Sequence, residues 1–325
     1  METRQDARWH IFARGLLAIT IGAIIAVAVD RTLWLGLARV RRGEFGQWSD
    51  IVHGRAHTDI LVLGSSRAFA QYDCDTLADL TGKSCLNAGL AGARSNYILA
   101  LGKTFLAHND PPSVLLLNAD ESAVVHADWN FWHFVPYYTE PAWYSAVSSA
   151  NPDIWWDRYI PLFAFGHFGR ELTTAAVLGL LGQDVPNSTR TQRGHLLKDF
   201  DWDGNIDDVP SKKTLLITAE GVRSFEELAT LFASRGTRVV LVYAPVYYPV
   251  QLREPNRGEL IAYFQRFASE RGMLFLDHSV SPLSQDKTMF SDGEHVNARG
   301  ARVFARELAE ALMTHESIAN RGPRR

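Results

Sequence analysis

The sequence predicts an α/β protein, a three-layer α/β/α sandwich with a parallel sheet, preceded by an apolar N-terminal helix. Short apolar runs alternate with longer stretches of helical spacing, a rhythm typical of parallel sheets covered by helices on both faces. The apolar runs end in glycine, serine or asparagine, as buried strands do where they enter a loop. An apolar stretch of bilayer length stands before all of them.

The N-terminal stretch from residue 11 to residue 29 is apolar except for Arg14. A helix of this length spans about 28 Å, close to the hydrocarbon thickness of a bilayer. We predict an uncleaved anchor over residues 1–30, because no small-residue cleavage site follows the stretch. A cleaved signal peptide and a buried soluble helix are the alternatives. Arginines flank the stretch on both sides, so charge alone does not orient it.

Residues 31–58 are predicted to be a connector, and residues 59–320 the main domain. The first half of that domain opens with a strand over residues 59–64, and further strands are expected at residues 84–87 and 113–117. A helix is predicted between the last two strands, over residues 97–108.

The C-terminal half repeats this rhythm. Glycines and prolines punctuate the predicted helices and strands. The predicted order is a helix at 224–234, a strand at 237–243, a helix at 259–271, a strand at 273–276 and a last helix at 298–313. Apolar residues of the last helix recur on one face, at Ala301, Phe304, Leu308 and Leu312.

Residues 121–210 interrupt the rhythm with many aromatic side chains, and we predict an insertion between the third and fourth strands. The aromatic residues include Trp129, Phe131, Trp132, Phe134, Tyr137, Tyr138, Trp143, Tyr144, Trp155 and Trp156. The insertion either covers the active site, lies against a membrane surface, where Trp and Tyr are favoured, or forms a helical subdomain whose aromatic residues fill its own core.

The composition narrows the possible functions. A net charge of -3 over 325 residues leaves no basic surface for nucleic acid. Only two cysteines are present, so a metal centre built from cysteine clusters is excluded. Neither a metal nor a cofactor is expected. Cys74 and Cys85 form either one disulfide, if this part of the chain lies outside the cytosol, or two buried thiols.

Candidate catalytic residues lie at the end of the first strand and before the last helix. Ser66 follows the first strand, and ligands of α/β sheets bind beyond the carboxyl ends of strands. Asp292 and His295 stand three residues apart, a spacing at which the carboxylate orients the imidazole and leaves its Nε2 atom for a serine. Asn297 is a candidate N-cap for the last helix.

This combination resembles the SGNH/GDSL hydrolase superfamily. Its first block corresponds to Gly64-Ser65-Ser66, with Ser65 in place of the usual aspartate. Its second block corresponds to Asn87-Ala-Gly-Leu-Ala-Gly92, and its last block runs from Asp292 to His295. The resemblance implies that Ser66 is the nucleophile of a triad completed by Asp292 and His295, and that the backbone amide of Gly92 stabilises the oxyanion.

The third block departs from the family pattern. The family has Gly-x-Asn-Asp, whose asparagine is an oxyanion donor, whereas here Asn118-Ala-Asp120 follows the strand. Either Asn118 supplies the donor through a shifted register, or Asp120 occupies the position, where a carboxylate is a poor donor. Arg67, next to the serine, either binds an anionic substrate or pairs with a helix carboxylate.

The serine variant of the first block, the anchor and the insertion resemble the membrane-anchored branch of the superfamily, which includes proteins of D-alanyl transfer and of alginate O-acetylation. The resemblance implies a serine esterase or O-acyltransferase that acts on an acylated polysaccharide or another cell-envelope substrate. It also implies a catalytic domain in the periplasm, anchored in the bacterial inner membrane, and a membrane-bound O-acyltransferase as a partner. A non-catalytic scaffold for that acyltransferase is the alternative, and a soluble lipase is disfavoured by the anchor.

Overall fold

The computed structural model describes residues 2–126, 137–148, 151–183, 193–196, 198–206 and 213–319. At its centre five parallel strands form one sheet in the order β2-β1-β3-β4-β5. The strands are β1 (Ile60–Leu63), β2 (Cys85–Asn87), β3 (Val114–Asn118), β4 (Arg238–Tyr243) and β5 (Leu274–Asp277). The predicted parallel sheet is confirmed, and each predicted strand agrees with an observed one to within a few residues.

The helices of the described residues follow in chain order. They are α1 (Glu2–Leu37), α2 (Gly43–Val52), α3 (Ser66–Gln71), α4 (Cys74–Thr81), α5 (Ser95–His108), α6 (Pro141–Ser148), α7 (Ile154–Tyr159), α8 (Phe163–His167), α9 (Gly169–Leu180), α10 (Ala219–Ser234), α11 (Tyr248–Gln251), α12 (Arg257–Glu270) and α13 (Ala298–Ala319). Short 3-10 helices lie at Glu121–Ala123, Pro282–Gln285 and Lys287–Met289.

The strands are apolar because both of their faces are buried. Leu61 and Leu63 of β1 belong to a core with α5, α10 and α12, whereas Ile60 and Val62 belong to a second core with α3, α4 and α13. Successive side chains of a strand point to opposite faces, so one short run contributes to both cores. Burying each such side chain stabilises the fold by about 1.5–3 kcal/mol. The predicted three-layer α/β/α sandwich is therefore confirmed.

Helix α13 has the predicted apolar face and the predicted cap. Ala301, Phe304, Leu308 and Leu312 are all buried in the second core. The Asn297 Oδ1 atom accepts hydrogen bonds from the backbone amides of the second and third residues of the helix, both at 3.1 Å. This side chain satisfies amides that have no partner within the helix.

Helices α5, α10, α12 and α13 differ by two to six residues from their predicted bounds, and the predicted connector contains a helix. Helix α10 begins five residues before the predicted start, because Thr218 caps it: its Oγ1 atom accepts from the Gly221 amide at 3.0 Å. The predicted connector, residues 31–58, contains the end of α1 and the whole of α2. Trp48 and Ile51, three residues apart on α2, are buried in the first core. This periodicity produces a packed helix where the sequence suggested an irregular link.

The insertion between β3 and β4 contains the helices α6 to α9, and its described residues 193–196 and 198–205 are not helical. Trp143 of α6 is fully buried. Its ring centroid lies 5.8 Å from that of Tyr97 on α5 and 5.1 Å from that of Tyr137. These aromatic residues thus extend the main core, whereas Trp129 and residues 131–134 lie outside the described residues.

Helix α1 is long and apolar enough to span a membrane, from Trp9 to Leu37. Its side chains from residue 9 to residue 25 are exposed, and its last turns pack against α9. A Cβ atom on Gly36 would overlap the backbone of α9, and one on Gly179 would overlap the backbone of α1. Because both positions are glycine, the two helices approach each other closely, as helices with small residues do.

Cys74 and Cys85 are joined in a disulfide between α4 and β2. Of the two states left open by the sequence, the structure has the disulfide. The bond ties the start of α4 to the edge strand of the sheet, a few residues beyond the end of α3.

Candidate active site

The candidate site lies at the carboxyl ends of β1 and β3. Strand order reverses at β1: the chain moves outward to β2 and then crosses back to β3 on the other side. Such a point opens a crevice beyond the strand ends, where α/β proteins bind ligands. Ser66 follows β1 and Asp120 follows β3, so both residues lie at this crevice.

Gly64 allows the turn after β1 to approach β3. A Cβ atom at this position would lie 2.7 Å from the Cβ atoms of Ala68 and Asn118, well inside van der Waals contact. Any other residue would push α3 away from the end of β3. The glycine thus sets the position of Ser66, the first residue of α3.

Ser66, His295 and Asp292 form one hydrogen-bonded chain. The Ser66 Oγ atom lies 2.9 Å from His295 Nε2. On the other side of the ring, His295 Nδ1 lies 2.8 Å and 3.0 Å from the two carboxylate oxygens of Asp292. An ionised carboxylate only accepts hydrogen bonds, so Nδ1 donates and Nε2 is left to accept from the serine hydroxyl. The geometry meets the requirement for a nucleophile next to an oriented base.

Asp292 is held by further donors. Its Oδ1 atom accepts from the backbone amides of Glu294 and His295, at 2.9 and 2.8 Å. Its Oδ2 atom accepts from Lys198 Nζ at 2.9 Å. Burial by itself raises the pKa of Asp292, but the hydrogen bond from His295 and the Lys198 charge outweigh it and lower the pKa well below its usual value. Asp292 is therefore ionised across the neutral pH range.

The loop that carries Asp292 and His295 is fixed at both ends and to α3. An antiparallel bridge between Phe290 and Val296 closes the loop. Gln71 at the end of α3 donates from Nε2 to the Glu294 carbonyl at 2.9 Å. The helix that presents Ser66 and the loop that presents His295 are therefore joined directly, which holds the distance between the two side chains.

Ser66 and Gly92 line one cavity of about 140 Å³. Within the described residues, neither of their backbone amides donates a hydrogen bond to another protein group. Asn87 positions the second block: its buried side chain donates to the Ala68 and Tyr72 carbonyls at 2.7 and 3.0 Å. Two backbone donors at this cavity are thus not used by other described groups, and an oxyanion requires such donors.

The third block presents Asp120, not Asn118, to the cavity. Asn118 is fully buried and lies outside the cavity lining. Its Nδ2 atom donates to Asp120 Oδ2 at 2.6 Å, and its Oδ1 atom accepts from Tyr72 Oη at 2.8 Å. The register shift that would bring Asn118 to the oxyanion does not occur. Asp120 lines the cavity in its place.

Arg67 pairs with Asp120. Its Nε atom donates to Asp120 Oδ2 at 2.8 Å, and its guanidinium lies 5.2 Å from the ring centroid of Tyr243. Burial opposes the charge of Arg67, but Asp120 outweighs it, and the net result is a raised pKa. The carboxylate partner comes from the loop after β3, whereas the sequence suggested one on a helix.

Other charged residues complete the cavity wall. Lys213 lies 3.2 Å from carboxylate oxygens of both Glu121 and Glu294. Glu254 is buried beside them, and its Oε2 atom has no hydrogen-bond partner among the described residues. Burial raises the pKa of Glu254, although the charge of Arg67 opposes this. The cavity is polar and charged, with no long apolar wall.

A second group of acidic residues and histidine lies near the disulfide. Side-chain atoms of Asp73, Asp75 and His195 lie within 4.8 Å of one another. Asp73 caps α4 by accepting from the Asp75 and Thr76 amides, and Asp75 pairs with Arg193 at 2.9 Å. The carboxylates are therefore engaged in structural contacts, and the arginine adds a positive charge unsuited to a cation site.

Sequence reasoning missed Lys198, Glu254 and Lys213. Lys198 lies 94 residues before Asp292, inside the insertion, and no local motif marks it. Lys213 and Glu254 lie in loops without a catalytic spacing. Only the folded chain brings these residues to the site.

The fold and the site together define an α/β/α protein with a hydrogen-bonded Ser-His-Asp chain at the switch point of its sheet. Comparison of the chain with protein-family models finds no match, and comparison with curated proteins finds none either. The geometry of the site and the sequence motifs therefore carry the functional argument.

Proposed function

We propose that the protein is a serine-dependent acyl-ester enzyme, an O-acyltransferase or esterase of the SGNH/GDSL type, that acts on a cell-envelope glycan or polymer. The observation that carries the proposal is the chain from Ser66 Oγ through His295 to Asp292, with distances of 2.9 and 2.8 Å. The backbone amides of Ser66 and Gly92, which line one cavity and donate to no other described group, add to it. A structural role alone requires none of these features to converge.

In the proposed reaction, Ser66 Oγ attacks the acyl carbonyl while His295 Nε2 accepts the hydroxyl proton. The amides of Ser66 and Gly92 stabilise the oxyanion of the tetrahedral intermediate. The C–O bond to the alcohol breaks, and the alcohol leaves with the proton from His295, so that the acyl group stays on Ser66. Water or a sugar hydroxyl then gives its proton to His295 and attacks the acyl-serine, which releases the acyl group and restores the serine hydroxyl.

The cavity supports a short, polar acyl group. Its volume of about 140 Å³ is less than half that of the smallest typical pockets for drug-sized ligands. The cavity is lined by four charged residues, Arg67, Asp120, Glu254 and Lys213. A long hydrocarbon chain is disfavoured there, because it would displace water from these charged groups without offering them hydrogen bonds in return. A short acyl ester therefore fits better than the lipid ester of a lipase.

The location that we propose is the extracytoplasmic face of the bacterial inner membrane, with α1 as a single-pass anchor. Helix α1 has the required length and apolar character. The Cys74–Cys85 disulfide supports an oxidising compartment such as the periplasm, because cytosolic thiols are kept reduced. A membrane-bound O-acyltransferase remains the proposed partner.

A non-catalytic scaffold is the second candidate, and the third block favours it. Asp120 stands where the family has its asparagine donor, and its carboxylate is committed to Arg67. A site with two oxyanion donors stabilises the intermediate less than one with three, since one donor contributes about 3–4 kcal/mol. This loss weakens catalysis without abolishing it.

The test uses the full chain in detergent, a fluorophosphonate probe and p-nitrophenyl esters of increasing chain length. We expect labelling of the wild type, loss of labelling in Ser66→Ala, and turnover that is highest for acetate. Ser234→Ala, on the exposed surface of α10, is the control and should react like the wild type. A folded wild type that neither reacts with the probe nor turns over acetate would favour the scaffold.

A further inference from the structure

A patch of exposed aromatic side chains lies on α7 and α8. The patch consists of Trp155, Trp156, Tyr159 and Phe163, which are 44%, 47%, 53% and 42% exposed. The ring centroids of Trp155 and Trp156 lie 5.1 Å apart, and Trp155 and Trp156 contact Tyr159 and Phe163 at 5.4 and 6.0 Å. The four rings therefore form one continuous surface. Contiguous apolar surfaces of this kind mark interaction sites in folded proteins.

The patch lies where α1 leaves its apolar stretch. The Leu162 amide, between α7 and α8, donates to Asp30 Oδ1 at 2.9 Å. Asp30 and Arg31 are the first charged residues after the apolar stretch of α1, so they mark its boundary with the headgroups. The patch residues stand on both sides of Leu162 in the chain. Tyr159 also lines one cavity with Asp30 and Arg31, so the patch lies beside this boundary.

The position of the patch relative to α1 is fixed. Helix α1 runs unbroken from its apolar stretch into the folded body, where the close contact of Gly36 with Gly179 holds α9 against it. A cavity of about 410 Å³ lies between α1 and α7, and its wall carries both signs of charge, with Arg31 and Arg158 beside Asp30, Glu140 and Asp157. The guanidinium of Arg158 lies 4.4 Å from the ring centroid of Tyr144.

We propose that the aromatic patch inserts into the headgroup region of the same bilayer that α1 crosses. The occupant is the phospholipid surface, because the patch lies beside the end of the exposed apolar stretch of α1. Tryptophan and tyrosine are favoured at this depth, where their rings are apolar and their polar tips reach water. The inference rests on the anchor proposed above and is independent of the acyl-ester chemistry.

The contact gives the anchored domain two points of attachment. A single helix allows the domain to rotate and tilt about it, whereas an adjacent patch fixes the tilt. The cavity at Ser66 is then held at a constant height and orientation relative to the bilayer. A substrate that is presented at a fixed distance from the membrane meets the serine in one orientation.

The test is quenching of tryptophan fluorescence by brominated lipids in the full chain, reconstituted in vesicles of phosphatidylethanolamine and phosphatidylglycerol. Bromine near the headgroup end of the acyl chain should quench more strongly than bromine near its terminus. We expect the double variant Trp155→Phe/Trp156→Phe to lose a large part of the quenchable emission. The matched control Trp143→Phe removes a buried tryptophan and should lose only unquenched emission.

Flotation and carbonate extraction of the same vesicles report the anchor separately. If the chain stays in the vesicles and the double variant is quenched as strongly as the wild type, the patch contact is overturned and the anchor is not. A chain that is extracted by carbonate overturns the anchor and the patch contact with it. Loss of quenching accompanied by cross-linking of two copies through Trp155 or Trp156 assigns the surface to a dimer and also overturns the proposal.

Discussion

Replacing Asp292 by asparagine tests the proposed catalytic chain most directly. The asparagine Oδ1 atom can still accept from the Glu294 and His295 amides, so the loop should keep its shape. The negative charge beside the His295 ring is lost. The imidazolium that forms when Ser66 gives up its proton is then no longer stabilised. The expected result is a large loss of turnover with little change in folding.

The magnitude follows from the charge and its exposure. Two unit charges about 4 Å apart interact by about 4 kcal/mol at an effective dielectric constant of 20. The Asp292 side chain is 42% exposed, and solvent screening reduces this to roughly 2–3 kcal/mol. A loss of that size lowers kcat/KM by about 30- to 150-fold. A deeply buried aspartate would contribute more.

The assay is steady-state hydrolysis of p-nitrophenyl acetate by the full chain, with thermal unfolding as the check on folding. Asp110→Asn, which changes an exposed carboxylate between α5 and β3, is the matched control and should keep wild-type kcat/KM. Activity of Asp292→Asn equal to that of the wild type would refute the role of Asp292 in stabilising the imidazolium.

Three further variants follow from the structure. Lys198→Met removes the cation that lies 2.9 Å from Asp292. The acidic limb of the pH–activity profile should therefore move to higher pH by a few tenths of a unit. A limb that does not move argues against the contact. Burial raises the pKa of Glu254, so the folded protein keeps a proton on this carboxyl that the unfolded chain releases near pH 4.3. The free energy of unfolding of the wild type therefore falls as the pH rises above that value. Glu254→Gln should therefore melt higher than the wild type at pH 7.5 and equally at pH 4; a difference that does not depend on pH contradicts this. Cys74→Ser/Cys85→Ser opens a loop with a sequence separation of 11 and should lower the free energy of unfolding by about 2–3 kcal/mol relative to the oxidised wild type, measured by denaturant titration. The reduced wild type should behave like the double variant, and a double variant as stable as the oxidised wild type contradicts this.

Much of the fold could be predicted because the parallel sheet leaves a strong pattern in the sequence. Its strands are buried on both faces and are therefore apolar throughout, and its helices are amphipathic. The apolar face and the asparagine cap of α13 are both present in the structure. Helix α2 was missed, because a short helix with two buried residues differs little from a polar connector.

The sequence by itself determined the chemical types at the candidate site. Ser66, Asp292, His295 and Gly92 stand in motifs whose spacing is local, and local spacing can be read from a chain. That these residues meet in space could be predicted from the sequence but not established by it, because 229 residues separate Ser66 from His295.

The tertiary structure decided between the alternatives that the motifs left open. It buried Asn118, whose Nδ2 atom donates to Asp120 Oδ2, and it placed Asp120 in the cavity lining. It also brought Lys198 to Asp292 and placed Glu254 in the same cavity wall as Arg67, although these residues come from segments far apart in the chain. Such contacts depend on how the layers pack, and no short stretch of sequence contains that information.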